Sequence, residues 1–294
     1  MDPLLARRAS LARPASVRGV SLHGGRTVTA TLRPAAEGQG CRFIRTDLPG
    51  EPWTPLRIEA VTAGALATHL RWGRAEVRTV EHLAAALLVA GIDDLDVVLD
   101  GDELPLLDGA SAVWSALIRS AGRAPSSAPR RWLRLRGPLR VEAGDAWIQL
   151  LPGGGLRFDV SVDFGPTMGG LQRLLTRPLD GDFASALAWA PTFGRLEDHA
   201  PLLAAGAARG AHLDAVLVYG PTGPLQGPPL ADRLCARHKS LDLLGDLALL
   251  GAPLLAHVRA HKHGHALVHT ALRRALNDGL LEWEDGEPER PRPQ

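Results

Sequence analysis

Two stretches of the sequence have apolar residues at helical spacing. Residues 237–250 repeat leucine at helical intervals, and the glycine and proline just beyond them end the predicted helix. Residues 79–91 predict a second helix, which is rich in alanine and leucine and ends in glycine. Its ionisable residues are Glu81 and His82, both in the first turn.

A stripe of ionisable side chains follows one face of the first of these helices. His238, Asp242 and Asp246 recur every fourth residue, and each step of four residues turns only ~40° around the helix axis. Histidine and aspartate four residues apart on one face can bind a single metal ion. A solvent-exposed face with the same pairs would add only about 0.3 kcal/mol to helix stability.

The helix over residues 79–91 offers one further ligand and a neighbouring carboxylate. Glu81 could simply interact with the helix dipole, and His82 could be a partly buried histidine with a hydrogen-bond partner. If the two helices meet, His82, His238 and Asp242 form a three-ligand site that leaves zinc an open position for water. Glu81, next to a ligand, would then be placed to act as a base.

Alternating apolar and polar positions predict strands around these helices. Residues 17–32 predict a hairpin with its turn at His23, and residues 132–164 predict a meander of three strands. Strands followed by helices, twice along the chain, predict an α+β fold with two sheet-and-helix domains. The other predicted strands are 41–45, 95–100, 212–219 and 254–260, and the other predicted helices are 110–120, 183–189, 197–208 and 265–280.

Changes in composition predict the domain boundaries. Residues 1–14 have no clear pattern and are predicted to be a loose leader before an N-terminal domain over residues 15–122. The small, proline-bearing stretch 123–130 predicts a linker. A C-terminal domain with an insert follows over residues 131–284, and the charged, proline-rich residues 285–294 predict a frayed tail.

Composition argues against several classes of protein. The 33 basic and 32 acidic residues nearly cancel, which disfavours a nucleic-acid partner or a charged membrane surface. No apolar run reaches the ~18 residues that span a bilayer. Cys41 and Cys235 are far apart, which fits the reducing cytosol, and Pro152-Gly-Gly-Gly155 lacks the ending of a phosphate-binding loop. We therefore expect a soluble cytoplasmic protein.

A set of short motifs occurs in order along the chain. The motifs are Gly19-Val-Ser-Leu-His-Gly24, Leu32-Arg-Pro34, Arg45-Thr-Asp47, Val80-Glu-His-Leu-Ala-Ala-Ala86, Gly91-Ile-Asp93, Leu104-Pro-Leu-Leu-Asp-Gly109, Thr192-Phe-Gly194, His238-Lys-Ser-Leu-Asp242, Gly245-Asp246-Leu247 and Lys262-His-Gly-His265. In this order they resemble the zinc-dependent UDP-3-O-acyl-N-acetylglucosamine deacetylases of lipid A synthesis, from about residue 15 to about residue 280. The set is far more specific than any one of its members.

The resemblance implies a fold and a cofactor. Two similar α+β domains would form a β-α-α-β sandwich, with the active site between the domains. His82 from the first domain and His238 and Asp242 from the second would bind zinc, although iron can occupy such sites. We expect a monomer.

The resemblance also implies the catalytic residues. Glu81 would be the base, Thr192 would donate to the oxyanion, and Asp246 would hold His265 protonated as the acid. On the sequence alone, Thr192 is as well explained as a helix cap, and His265 as an exposed histidine in a histidine-rich run.

The implied substrate is UDP-3-O-(3-hydroxyacyl)-N-acetylglucosamine, from which acetate would be released. Lys239, Lys262, His23 and Phe193 would contact it, although Lys239 could be an ordinary solvated lysine and His23 a plain turn residue.

Some positions depart from the pattern of the family. Residues 163–167 lack its histidine, and the insert carries Ala211 and His212, where His212 could shorten the passage for the acyl chain. Two alternatives therefore remain: a paralogue that deacetylates another N-acetyl compound, and a non-catalytic binding protein on the same fold.

Overall fold

The computed structural model describes residues 6–64, 66–226 and 232–285. In these ranges the protein has five α-helices, α1 to α5 in chain order: Glu81–Ala90, Ala112–Ala121, Leu196–Ala204, Leu234–Leu247 and His265–Asn277. The strands of the same ranges, β1 to β20, are Arg7–Leu11, Ala15–Val20, Thr27–Pro34, Cys41–Arg45, Trp53–Pro55, Val61–Thr62, His69–Trp72, Ala75–Arg78, Leu95–Leu99, Arg123–Pro129, Arg131–Leu135, Leu139–Ala143, Ala146–Pro152, Arg157–Asp163, Leu171–Thr176, Thr192–Arg195, Val216–Gly220, Gly223–Pro224, Leu254–His261 and Leu281–Asp285.

The first large sheet has the strand order β2-β3-β9-β4-β5. Strands β2 and β3 form the antiparallel hairpin that the alternation predicts, so this prediction is confirmed. Val28, Ala30 and Leu32 of β3 are buried and alternate with more exposed threonines, which is the pattern of a sheet with one face on the core. Strands β6, β7 and β8 form a separate small sheet.

Among the described residues the second large sheet has seven strands, and its order corrects one prediction. Strand β19 lies between β13 and β14, so the strands predicted over residues 132–164 do not form a meander. Residues 254–256, at the start of β19, are all buried, and a strand that is apolar on both faces needs cover on both sides. The first of the three strands predicted within residues 132–164 is in fact two strands, β11 and β12, because Pro138 between them has no N–H to donate.

Helices α1, α2, α4 and α5 lie between the two large sheets. Helix α1 contacts α4, α2 contacts α1 and β2, and α5 contacts α4 and β12. These contacts give four layers in the order sheet, helix, helix, sheet, and one cluster of buried apolar residues runs through both halves of the chain. The α+β class and the β-α-α-β layering are therefore confirmed. The boundaries of two domains at residues 15–122 and 131–284 stay a prediction.

Close contact between α1 and α4 depends on Gly245. A Cβ atom at this position would lie 2.1 Å from the carbonyl oxygen of Glu81. No side chain fits in that space, so glycine lets the start of α1 rest against the middle of α4. This contact positions the candidate site.

The predicted loose leader and linker are wrong for the described residues. Strand β1 pairs antiparallel with β10, and Ala9 and Leu11 of β1 are buried in the core. An ion pair between Arg8 and Asp94 anchors β1 further. The alternation of apolar and polar residues in β1 is too short to predict a strand. Strand β10 pairs only with β1 in a two-stranded sheet, and such an edge strand can contain two prolines because not all of its N–H groups are needed for pairing. Residues 1–5 and the predicted tail beyond Asp285 lie outside the described ranges.

A smaller unit, the insert, projects from the second half. It consists of the sheet β16-β17-β18 and helix α3, which has no buried residue. The main-chain N–H groups of Arg209 and Gly210 donate to the carbonyl oxygens of His23 and Leu22, so the insert is attached to the first hairpin. The helix predicted at 183–189 is a single π-helical turn. No helix in the described ranges is long and apolar enough to cross a membrane.

Candidate metal centre

Three predicted metal ligands converge where α1 meets α4. His82 Nε2 lies 3.5 Å from Asp242 Oδ1, and His238 Nε2 lies 3.3 Å from the same oxygen. All three side chains are buried, with 4–5% of their surface exposed. The solvated-face explanation of the helical stripe is therefore wrong, and the group could hold a metal ion.

The polar atoms of this group fit a bound cation. Asp242 Oδ1 has no hydrogen-bond partner among the described residues although it is buried, which is costly for a carboxylate oxygen unless a cation satisfies it. His238 Nδ1 lies 3.0 Å from the carbonyl oxygen of Ala190. A carbonyl only accepts, so Nδ1 carries the proton and Nε2 presents a lone pair, as in metal-bound histidines. Burial also lowers the pKa of His238 to about 4, which keeps the ring neutral.

Lys239 forms an ion pair with the carboxylate of Asp242. Its Nζ lies 2.6 Å from Asp242 Oδ2, and its side chain is 15% exposed, so it is not the solvated lysine of the simpler explanation. Burial alone would raise the pKa of Asp242, but the ammonium group of Lys239 holds this pKa well below its usual range. Asp242 is thus ionised, as a metal ligand must be.

Glu81 lies beside this group, at the first residue of α1. Its Oε2 accepts a hydrogen bond from the main-chain N–H of Thr68 at 3.1 Å, and its Oε1 lies 3.8 Å from His265 Nε2. Burial raises the pKa of Glu81 above its usual value. A buried carboxylate with one fixed oxygen and a raised pKa is suited to accept a proton.

Asp246 and His265 form a buried pair. His265 Nδ1 lies 2.8 Å from Asp246 Oδ2, and only 6% of His265 is exposed, so this histidine is not an exposed member of a polar run. Burial alone would lower the pKa of His265, but the charge of Asp246 outweighs burial and raises it to about 9. At neutral pH His265 therefore carries a proton on Nε2 that it can donate.

Two further residues contact Asp246, and the sequence analysis does not identify them. Asp246 Oδ1 lies 2.5 Å from Thr68 Oγ1 and 3.2 Å from His269 Nε2. His269 follows His265 by four residues on α5, a spacing that could have indicated a shared face. Thr68 comes from the loop before β7 and has no comparable signal in the sequence.

The candidate site opens into a cavity of about 600 Å³. Thr192 lines it and begins strand β16, so it does not cap a helix. Leu66, Phe164, Phe193 and Leu202 give it an apolar wall, and it is also lined by Glu81, His82, His238, Lys239, Asp242, Lys262 and His265.

Four residues named from the sequence lie outside this lining, and one of them is Asp246, which contacts His265. His23 is buried, and its Nδ1 accepts a hydrogen bond from the main-chain N–H of Ala208. Ala211 and His212 are also absent from the lining, and His212 is exposed, so His212 does not narrow the cavity. A larger cavity of about 890 Å³, between α1, α2 and residues 178–189, contains none of the candidate catalytic residues.

The layered fold and the buried group define a class of protein. A histidine-histidine-aspartate set beside a glutamate and a protonated histidine, all lining one cavity, is the arrangement of a metal-dependent hydrolase. The chain belongs to the LpxC family, UDP-3-O-acyl N-acetylglycosamine deacetylase, whose sequence model matches residues 8–277.

Similar proteins carry the name UDP-3-O-acyl-N-acetylglucosamine deacetylase. One from Thermosynechococcus vestitus is 42% identical over 277 residues, which cover 93% of this chain and 95% of the relative. One from Myxococcus xanthus is 41% identical over 95% of this chain and 89% of the relative. One from Brucella melitensis is 36% identical over 93% of this chain and 96% of the relative. The family and the names of these relatives indicate a hydrolase of the deacetylase type.

Proposed function

We propose that this protein hydrolyses the N-acetyl group of UDP-3-O-(3-hydroxyacyl)-N-acetylglucosamine, which releases acetate in the committed step of lipid A synthesis. One observation carries the proposal: His82 and His238 converge on Oδ1 of Asp242, a buried carboxylate oxygen with no hydrogen-bond partner among the described residues, and Glu81 and a protonated His265 lie beside them. The names of the relatives, which align over almost the whole chain, supply the substrate.

His82, His238 and Asp242 would hold the metal ion. Two imidazole nitrogens and one carboxylate oxygen suit zinc, and iron can bind the same set. A divalent ion bound there supplies Lewis acidity, which polarises a carbonyl group and lowers the pKa of water. Lys239 keeps Oδ2 of Asp242 occupied, so Oδ1 is the oxygen left for the ion.

Glu81 is the proposed base. The N–H of Thr68 fixes Oε2, which leaves Oε1 to accept a proton from the attacking water. Burial raises the pKa of Glu81 towards the pH at which the enzyme works. Proton transfer by a general base is most effective when these two values are close.

His265 and Thr192 act on the other atoms of the amide. Nε2 of His265 donates its proton to the departing nitrogen, since Nδ1 is bound to Asp246. The hydroxyl group of Thr192, at the cavity wall, donates a hydrogen bond to the carbonyl oxygen of the amide. This oxygen becomes negatively charged when the carbonyl group is attacked. These groups complete the base, acid and oxyanion donor that amide hydrolysis needs.

The substrate would lie along the cavity. The ammonium groups of Lys239 and Lys262 suit the diphosphate, and Phe193 and Leu202 suit the acyl chain, whereas His23 is outside the lining. Of the departures that favour the paralogue alternative, Ala211 and His212 do not line this cavity, whereas Asp163 and Phe164 do. A cytoplasmic monomer stays a prediction.

Acetate release from UDP-3-O-(3-hydroxymyristoyl)-N-acetylglucosamine, measured with and without a chelator, tests the proposal. We expect release that the chelator abolishes and added zinc restores. No release from folded, zinc-loaded protein would contradict the proposed substrate. Release that survives complete removal of metal would contradict the metal site.

A further inference from the structure

Thr68 contacts both carboxylates of the proposed acid–base pair. Its hydroxyl lies 2.5 Å from Oδ1 of Asp246, and its main-chain N–H donates to Oε2 of Glu81 at 3.1 Å. The residue is 1% exposed. Thr68 lies in the first half of the chain, whereas Asp246 lies on α4 in the second half, so this single residue links the two sides of the candidate site.

The hydrogen-bond direction at Asp246 is defined by chemistry. A carboxylate only accepts, so the Thr68 hydroxyl donates its proton to Oδ1. The other oxygen, Oδ2, accepts from Nδ1 of His265 at 2.8 Å. Nε2 of His269 lies 3.2 Å from both Oδ1 and the Thr68 hydroxyl. Thr68 and His269 therefore both contact Oδ1. These two contacts fix the orientation of the Asp246 carboxylate, and with it the direction from which Oδ2 accepts the hydrogen bond of His265.

The main chain of Thr68 is itself held in place. Its carbonyl oxygen accepts the N–H of Thr79, which lies two residues before α1. Thr79 has a left-handed backbone with φ of 58°, and its hydroxyl donates to Glu103 Oε1. The hydrogen bond between the Thr79 N–H and the Thr68 carbonyl oxygen therefore couples the position of Thr68 to the start of α1, where Glu81 lies.

We propose that Thr68 is a positioning residue, whose hydroxyl orients Asp246 towards His265 while its main-chain N–H orients Glu81. The inference rests on the proposed function of the site. The Thr68 hydroxyl also lies 3.2 Å from Nδ1 of His265, whereas Thr68 does not line the cavity that would hold the substrate. A threonine that merely fills space would make the same packing contacts, but its hydroxyl would not affect turnover.

Two substitutions at this position separate the hydroxyl from the shape of the side chain. Thr68→Val keeps the volume and the main-chain N–H to Glu81 but removes the hydroxyl. Thr68→Ser keeps the hydroxyl and removes only a methyl group. A matched control is Thr54→Val, since Thr54 is fully buried and its hydroxyl has no hydrogen-bond partner among the described residues.

The first measurements are kcat, KM and metal content of the zinc-loaded variants. For Thr68→Val we expect kcat to fall on the order of tenfold, because a misdirected acid loses part of its catalytic contribution, with KM and metal content unchanged. Thr68→Ser should return kcat to within about threefold of the parent, and Thr54→Val should match the parent. A parent-like kcat in Thr68→Val would overturn the inference. So would an equal loss in Thr54→Val, or a loss in Thr68→Val that serine does not restore.

A second measurement does not depend on the substrate. The proton on His265 Nδ1, bound to Asp246, should give a downfield NMR resonance that is assigned by its absence in His265→Gln. We expect this resonance to shift or broaden in Thr68→Val and to stay unchanged in Thr54→Val. If the parent releases no acetate but the resonance responds, the positioning role stands and the proposed function fails. An unchanged resonance in Thr68→Val would overturn the positioning role whatever the activity.

Discussion

Nε2 of His82 lies 3.5 Å from Oδ1 of Asp242, although the two residues belong to helices from opposite halves of the chain. Contact between α1 and α4 brings them together, and the carboxylate oxygen at their meeting point has no hydrogen-bond partner among the described residues. Metal affinity should therefore depend on how the two helices pack as well as on the identity of the ligands.

The first prediction concerns the ligand set. Replacing His238 by alanine removes one of two imidazole ligands and leaves Asp242 and His82 to bind the ion alone. We expect the variant to lose most of its metal on dialysis, because a two-ligand site holds zinc far more weakly than a three-ligand site. Metal content per protein, measured by mass spectrometry, checks this.

A matched control for this substitution is His199→Ala, on the exposed helix α3. It should keep the metal content of the parent. Full zinc retention by His238→Ala would show that the ligand set is wrong.

The second prediction concerns the base. Glu81→Ala removes a carboxylate that is not among the proposed ligands, so metal should stay bound while turnover falls by about 10²–10⁴-fold. Steady-state kinetics on the zinc-loaded variant measures the loss. Glu59→Ala, at an exposed acidic residue away from the cavity, should behave like the parent. Nearly normal turnover in Glu81→Ala would exclude this residue as the base.

The third prediction concerns pH. His265 must be protonated to act as the acid, and Asp246 raises its pKa to about 9. Activity should therefore persist at neutral pH and fall as the pH rises through about 9. In Asp246→Asn the charge that raises the pKa is gone, so burial dominates and the alkaline limit of kcat should move to lower pH. The pH–rate profile measures this shift.

Asp214→Asn provides the comparison, because Asp214 is exposed on the insert and should leave the profile unchanged. If the alkaline limit is the same in Asp246→Asn and in the parent, the pairing of Asp246 with His265 does not control the acid.

Local periodicity made part of the site predictable. His238, Asp242 and Asp246 share one face because four residues turn a helix by only ~40°, and the structure buries all three. The first hairpin followed from alternation in the same way. Such signals depend on neighbours in the sequence, so they can be identified without knowledge of the tertiary fold.

Features created by distant contacts could not be predicted in this way. Nothing near Thr68 in the sequence indicates that its hydroxyl contacts Asp246, which is on helix α4. Strand β19 lies in the middle of its sheet because it pairs with β13 and β14. These partner strands come from an earlier part of the chain, so the sequence around β19 does not indicate them. Strand β1 was missed because its buried Ala9 and Leu11 give only two apolar positions, too few for a pattern.

The last prediction concerns the packing of α1 on α4. In Gly245→Ala the added Cβ would lie 2.1 Å from the carbonyl oxygen of Glu81, so the helices must separate. We expect a loss of stability of about 1–3 kcal/mol, measured by urea unfolding. Metal affinity should fall as well, because the separation moves His82 away from Asp242. At Gly137 an added Cβ makes only an ordinary contact at 3.5 Å, so Gly137→Ala should keep its metal. If Gly245→Ala binds metal as tightly as Gly137→Ala does, helix packing does not control the site.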